Sequence, residues 1–305
     1  MTTSLEPALI ELAHGHRGFF TTEEARRVGT TPHALVEAVK GGLLHHPARG
    51  LYAVSALVDN TQPQSWHIDL SFAATLLWDD AALGSTSSVL SHGVTVWGPD
   101  LGRIHVLRPI DRTVQVGVFR VRRWRGQPVV DTDVGPAVEL SHALAQHAVD
   151  HGLVAGVVSA DNALHEGLVT IDELRDAAAV LAPFRNGSRA TTMVAFADGA
   201  RESVGESRTA VALMTAGLTL DPQVEIRDRS GHLVGRVDFL VRGTNVIVEF
   251  DGRLKYDSGD PSVLWAEKKR EDALRRLGYV VVRLTWADLE SGAAVAKVRS
   301  AIAAA

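Results

Sequence analysis

Cysteine is absent from the 305 residues. That one absence excludes disulfides, thiolate zinc sites and cysteine nucleophiles, so any metal must sit on oxygen or imidazole. Lysine is scarce, limited to Lys40, Lys255, Lys268, Lys269 and Lys297, and three of these lie between 255 and 269. No stretch approaches the roughly 18 apolar residues that a membrane span requires. Met1 to Pro7 holds no basic patch ahead of an apolar run, so no signal segment is visible and the cytoplasm is the expected compartment. A net charge of -5 is no basic excess, so a nucleic-acid surface would have to be local. No G-x-x-x-x-G-K-[ST], G-x-S-x-G or dinucleotide fingerprint occurs, which leaves ATP hydrolysis and serine hydrolase chemistry without support.

The chain is long enough for two or three domains, and 46% hydrophobic with 22% charged residues is ordinary for a soluble globular protein. Residues 4 to 14 are apolar at helical spacing and stop at Gly15. A second helix is capped by Thr21 or Thr22, with Glu23 and Glu24 at its positive end, and closes at Gly29. A third follows Thr31-Pro32 and ends at Gly41-Gly42. Leu43-Leu44, a turn at Pro47 to Gly50 and the strand-like Leu51 to Val54 complete three helices and a hairpin, the pattern of a winged helix over residues 1–58. In such a head Pro32 to Lys40 is the recognition helix, which sets His33, Glu37 and Lys40 toward DNA. Met1 to Ser55 carries five Lys/Arg against five Asp/Glu, and protein-binding winged helices share that balance.

Asp59 to Ser65 reads as a linker. A middle α/β module is expected over 66–182, with a helix around 69 to 77, strands at 103 to 108 and 114 to 124, and mostly helix from 138 to 180. Arg120, Arg122, Arg123, Trp124 and Arg125 make the densest basic patch, fit either for phosphate or for a charged edge strand that resists aggregation. Among thirteen histidines, His14/His16 and His45/His46 lack the helical pairing or the nearby acids of a zinc site.

The C-terminal part, 200–305, reads as helix 203–216, strands 223–227, 234–241 and 246–250, helix 262–277, strand 280–284 and helix 287–303. Asp238 lies in the second strand, and Glu249 ends the third. Carboxylates on neighbouring strands suit Mg²⁺, or Mn²⁺, which prefers oxygen ligands and retained waters. Such a metal polarises a phosphate and activates water. Glu206, on the preceding helix, faces the same region as a further ligand or a base, and Arg208 beside it suits a carboxylate or a phosphate. On the later helix, Lys268 to Asp272 and Asp272 to Arg276 are i,i+4 pairs of a solvated face, while Arg270, Arg275 and Arg276 are candidates for phosphate.

In this order, Arg236-Val237-Asp238-Phe239, Val248-Glu249-Phe250-Asp251-Gly252, Glu267-Lys268-Lys269-Arg270-Glu271-Asp272 and Leu277 to Arg283 resemble the very-short-patch-repair-like branch of the PD-(D/E)XK nucleases. The resemblance runs over about a third of the chain. It implies an αβββαβ restriction-endonuclease-like core with Asp238, Glu249 and Glu206 around the metal and the carbonyl of Phe250 assisting. The family places a lysine two residues after the Glu, where this chain has Asp251. Lys255 from the following loop, or Lys268 or Lys269 from the next helix, is expected to supply that charge, and Asp251 is itself a candidate ligand for a second metal. The head resembles the AbiEi-type antitoxins through Gly18 to Ala25 and Arg49-Gly50-Leu51-Tyr52. The middle region is similar to that family's second domain from Ser88-Val89-Leu90-Ser91-His92-Gly93 to Asp172-Glu173-Leu174.

Two functions follow as expectations. One is a Mg²⁺-dependent DNA endonuclease with Glu206, Asp238, Glu249, Asp251 and Lys255 in its centre and Arg208, Lys268, Lys269, Arg270, His33 and Lys40 on nucleic acid. The other is an antitoxin-like transcriptional regulator, with a toxin as partner, whose nuclease fold grips DNA without cutting it.

Overall fold

The computed structural model describes residues 5–252 and 261–305. The chain divides into two compact units, 1–150 and 151–305, and among the described residues it is a mixed α/β protein with three sheets and thirteen helices.

The first unit begins with α1 (Pro7–Gly15), β1 (Phe19–Thr21), α2 (Thr22–Arg27), α3 (Pro32–Lys40), β2 (Leu44–Ala48) and β3 (Leu51–Val54). Local chemistry explains these starts. Thr21 caps α2 in a reciprocal box with Glu24, and Thr31 caps α3 just ahead of Pro32 in the first turn. The strands pair in the order β1-β3-β2, and Leu9, Ala13, Phe20, Ala25, Leu35, Ala38, Leu44 and Val54 close a core between helices and sheet.

Next come α4 (Pro63–Leu77), β4 (Ala82–Leu83), α5 (Ser85–Ser91), β5 (Ile104–Arg108), β6 (Val114–Val116), β7 (Phe119–Arg123), β8 (Val129–Thr132), β9 (Gly135–Val138) and α6 (Leu140–His151). The expected linker is shorter than it reads, because Pro63 occupies the first turn of α4, where a proline costs no hydrogen bond. The expected single strand from 114 to 124 is a hairpin folded at Gly117, whose φ is +56°. The six strands run β6-β7-β5-β4-β9-β8, so β7 is flanked on both sides and is not the charged edge its arginines suggest. Its Phe119 and Val121 are buried, and Arg122 is drawn into an ion pair with Asp150 at 2.9 Å. A second core joins Phe19, Leu51 and Ala53 to Leu70, Ala73, Ile104, Val106 and Val121.

The second unit holds α7 (Leu153–His165), α8 (Ile171–Leu181), α9 (Ser188–Phe196), α10 (Val204–Thr215), β10 (Leu220–Arg227), β11 (Leu233–Val241), β12 (Val246–Phe250), α11 (Pro261–Arg276), β13 (Val280–Leu284), α12 (Trp286–Ser291) and α13 (Ala293–Ala304). The stretch from Pro183 to Gly187 forms the turn between α8 and α9. The last helical stretch is split at Gly292, which takes a left-handed φ of +76°. The sheet order is β10-β11-β12-β13, antiparallel through β12 and parallel between β12 and β13. Val246, Ile247 and Val248 are fully buried, as a central strand covered on both faces requires. One face packs Ala210, Leu213, Phe239, Val248 and Val298, and the other packs Ile226, Val237, Ile247 and Leu274.

Candidate functional site

Three acids expected to act together are brought to one place in the second unit. Asp238 sits in mid-β11 between Val237 and Phe239, each buried in a different one of the two core clusters, and its carboxyl is half-buried. Its Oδ2 accepts the backbone N–H of Phe250 at 2.8 Å, which ties β11 to the end of β12. Burial pushes this carboxyl up to about 6 from an ordinary 3.8, and the negative charges of Glu206 and Glu249 push in the same direction, while the Phe250 N–H and Arg270 pull the other way.

Glu206 is 7% exposed and lies in the first turn of α10. Its carboxylate accepts Ser203 Oγ at 2.8 Å, the N–H of Glu202 at 3.1 Å and Gln223 Nε2 at 2.8 Å. The first two come from residues at the start of α10, whose cap is the separate bond from the Glu206 N–H to Ser203 Oγ at 3.2 Å. The third comes from a residue that sequence reasoning missed. Gln223 has φ +51°, a conformation that costs a side-chain-bearing residue strain. It lies between the pairs Pro222↔Phe239 and Val224↔Val237, across from Asp238. Nothing in the sequence signals that backbone conformation within β10 except Pro222 just before it.

Glu249, 9% exposed, ends β12. Arg270 of α11 donates from Nη2 to Glu249 Oε1 at 2.7 Å, and Arg283 Nε stands 3.7 Å from Oε2. Parallel pairing sets Glu249 beside Arg283, and Arg283 also binds Glu271 at 3.0 Å. Arg283 was legible only as part of a motif, because its role depends on register across two strands separated by a helix.

The remaining candidates are more dispersed. Asp251 is half-buried, and its N–H donates to the carbonyl of Leu284 at 2.8 Å. That hydrogen bond fastens the end of β12 to the end of β13. Arg208 stacks its guanidinium over Trp286 at 5.3 Å, and Trp286 in turn meets Phe250 edge-on. Lys268 and Lys269 are exposed and lie over the Trp265 ring, each 5.8 Å from its centre. The cation that α11 delivers to the acids is Arg270, one residue further along, because each helical step turns the side chain by about 100°. Lys255 lies outside the described residues. His33 and Lys40 are exposed on α3, in the other unit, and Lys40 is paired with Glu37 at 2.9 Å.

Whether these acids fit a divalent metal can be asked of their oxygens. Mg²⁺ requires near-octahedral oxygen ligands at about 2.0–2.1 Å. Among the described residues no three His, Asp or Glu side chains converge so as to hold a metal ion. The oxygens of Glu206 face three donors, Asp238 Oδ2 faces a backbone N–H, and Glu249 faces two guanidinium groups. The arrangement described is therefore that of a hydrogen-bonded acid cluster and does not fit a metal shell.

A pH dependence follows from Asp238. Its folded-state carboxyl titrates near 6, above the ordinary 3.8, so the folded protein holds the extra proton and loses stability as pH rises through that window. Asp238→Asn, neutral throughout, is expected to match wild type near the bottom of the window and to gain about 1–2 kcal/mol by pH 8. The full shift would correspond to about 3 kcal/mol, reduced here because the carboxyl is partly solvated. Urea unfolding of both proteins across this range checks it, and a constant difference at all pH values would remove Asp238 as the source.

The protein is thus of a mixed α/β class, with a small helical head on one sheet and, elsewhere in the chain, a four-stranded sheet that gathers three acids. Residues 7–55 match the family model described as "Transcriptional regulator, AbiEi antitoxin", so an AbiEi antitoxin-type domain stands at the N-terminus. No curated protein matches the chain. Among solved structures, the RV2827C protein from Mycobacterium tuberculosis is similar at 18% identity and a TM-score of 0.40, over 61% of this chain and 74% of that one. No described helix is long and apolar enough to cross a membrane.

Proposed function

We propose that this protein is an AbiEi-like antitoxin and transcriptional regulator that binds DNA through its N-terminal winged helix. The observation that carries the reading is the match of residues 7–55 to the AbiEi antitoxin regulators. The elements α1 to β3 support it, since they have the order in which a winged helix offers its third helix to the major groove. The outward face of α3 carries His33, Val36 and Lys40. In this reading the C-terminal sheet is a nuclease-like fold that adds grip on DNA without cutting, and a toxin is the protein partner.

Glu37 tempers the head, because Lys40 holds its carboxyl below the usual carboxylate range by hydrogen bond and charge. Glu37→Gln frees Lys40 for phosphate and is expected to tighten binding by about three- to tenfold at low salt, and by less as salt rises. Fluorescence anisotropy on the DNA upstream of the protein's own coding region measures this. An unchanged or weaker affinity would take α3 out of the interface.

A second reading, a Mg²⁺- or Mn²⁺-dependent endonuclease, is favoured by the negative charges of Glu206 and Glu249 acting on Asp238, which a cation would offset. The experiment that separates the two uses supercoiled, linear, mismatched and single-stranded DNA with either metal. Binding without cleavage is the expected result. Cleavage abolished by Asp238→Ala or Glu249→Ala would replace the regulator with the nuclease.

A further inference from the structure

The acid cluster already holds a cation of the chain's own, and its placement goes beyond either reading of function. Arg270 enters from α11 with its stem laid over Gly235, where an added Cβ would stand 3.1 Å from Arg270 Cδ. One end of its guanidinium donates to the carbonyl of Arg236 at 3.3 Å, and the other donates to Glu249 Oε1 at 2.7 Å. The same positive charge lowers the proton affinity of Asp238. Arg283 stands at the second oxygen of Glu249 and is anchored on its far side by Glu271. Glu249 Oε1 is thus hydrogen-bonded by Arg270, while Oε2 has the Arg283 guanidinium 3.7 Å away.

We propose that Arg270 is the resident counter-ion of the Glu206–Asp238–Glu249 cluster and that it keeps divalent metal out. Two features of the guanidinium make it suited to this. It never loses its charge, so its repulsion of a dication persists at any working pH. Its planar fork also takes the lone-pair direction of Glu249 that a metal would need, and a bond between two ionised groups is among the stronger hydrogen bonds. Position 251 fits the same account. The sequence has an aspartate there, and the positive charge is supplied instead by the helix.

The test is Mn²⁺ binding to the full chain, read from the electron paramagnetic resonance of the free ion. Arg270→Met and Arg270→Gln remove the charge at similar side-chain length, and Arg270→Lys retains it. Wild type and Arg270→Lys are expected to show no stoichiometric site at millimolar Mn²⁺. The Met and Gln variants are expected to gain one site at least about tenfold tighter than any in wild type, and Arg270→Gln combined with Glu249→Gln is expected to lose it. Circular dichroism identifies which variants are folded. A stoichiometric Mn²⁺ site in wild type that Glu249→Gln abolishes would overturn the proposal, as would folded Met or Gln variants with no gain. Because the readout is metal bound and not DNA cut or bound, its outcome is independent of the regulator reading.

Discussion

Arg201→Met is expected to destabilise the protein by about 3–5 kcal/mol at pH 8, among the largest effects of any single substitution in the second unit. Arg201 and Asp161 are 5% and 1% exposed and form a buried ion pair at 2.9 Å. Arg201 also donates to the carbonyl of Phe196, and Asp161 accepts the N–H of Asp198 and a bond from Ser207. These bonds fasten α7 to the segment that leads into α10 and thus set the position of Glu206. Removing the guanidinium strands a carboxylate in a buried site, and that cost is far larger than the net worth of the pair. The effect should depend on pH. Burial pushes Asp161 up to about 6 even with Arg201 beside it. A folded-state value above the ordinary 3.8 means that stability falls as pH rises through that range, and the loss of Arg201 steepens the fall. The deficit of the variant should therefore shrink as pH is lowered toward 5, when Asp161 accepts a proton. Asp161→Asn in the same chain should recover most of the loss at pH 8. Urea unfolding measures each of these, and a deficit that does not vary with pH would show that packing, not the stranded charge, sets the cost.

Gly205→Ala is expected to cost about 2–3 kcal/mol, against the usual preference for alanine in helices of about 1 kcal/mol. Gly205 is buried in α10, and a Cβ there would run into Cε1 and Cδ1 of the Phe250 ring, an overlap that no rotamer of a methyl group can avoid. Phe250 is confined on another side by Trp286, so relief requires a shift of the end of β12 or of α10. Either shift disturbs the Phe250 N–H that binds Asp238. The substitution should accordingly change the titration of Asp238 as well as the stability. Phe250→Leu in the Gly205→Ala background removes ring atoms at the point of contact and should restore about half of the loss. If Gly205→Ala alone is as stable as wild type, the close approach of helix and ring is not present in solution.

Several elements were legible because their signals are local. Thr21 and Thr31 mark helix starts by the hydrogen bonds they make within three residues, and both cap as expected. The run Val246-Ile247-Val248 has no polar alternation and becomes a buried central strand. The order of helices and strands from α10 to β13 follows from such signals, and so does the meeting of Asp238 with Glu249 on adjacent strands. The hairpin at Gly117 and the helix α9 were not legible, since a two-residue turn and a short helix leave little periodicity.

What the sequence determined by itself is therefore the type and order of most elements, the caps that begin α2 and α3, and that Asp238 and Glu249 share a sheet. These depend on hydrogen bonds and side-chain spacing within a few residues. Tertiary structure decided the partners of those acids. Gln223 reaches Glu206 from a strand position with a positive φ, Arg283 stands beside Glu249 through parallel register, and Arg270 faces it through the rotation of α11. Each of these contacts joins residues 17 or more positions apart in the chain, and their geometry exists only once the helices have packed on the sheet.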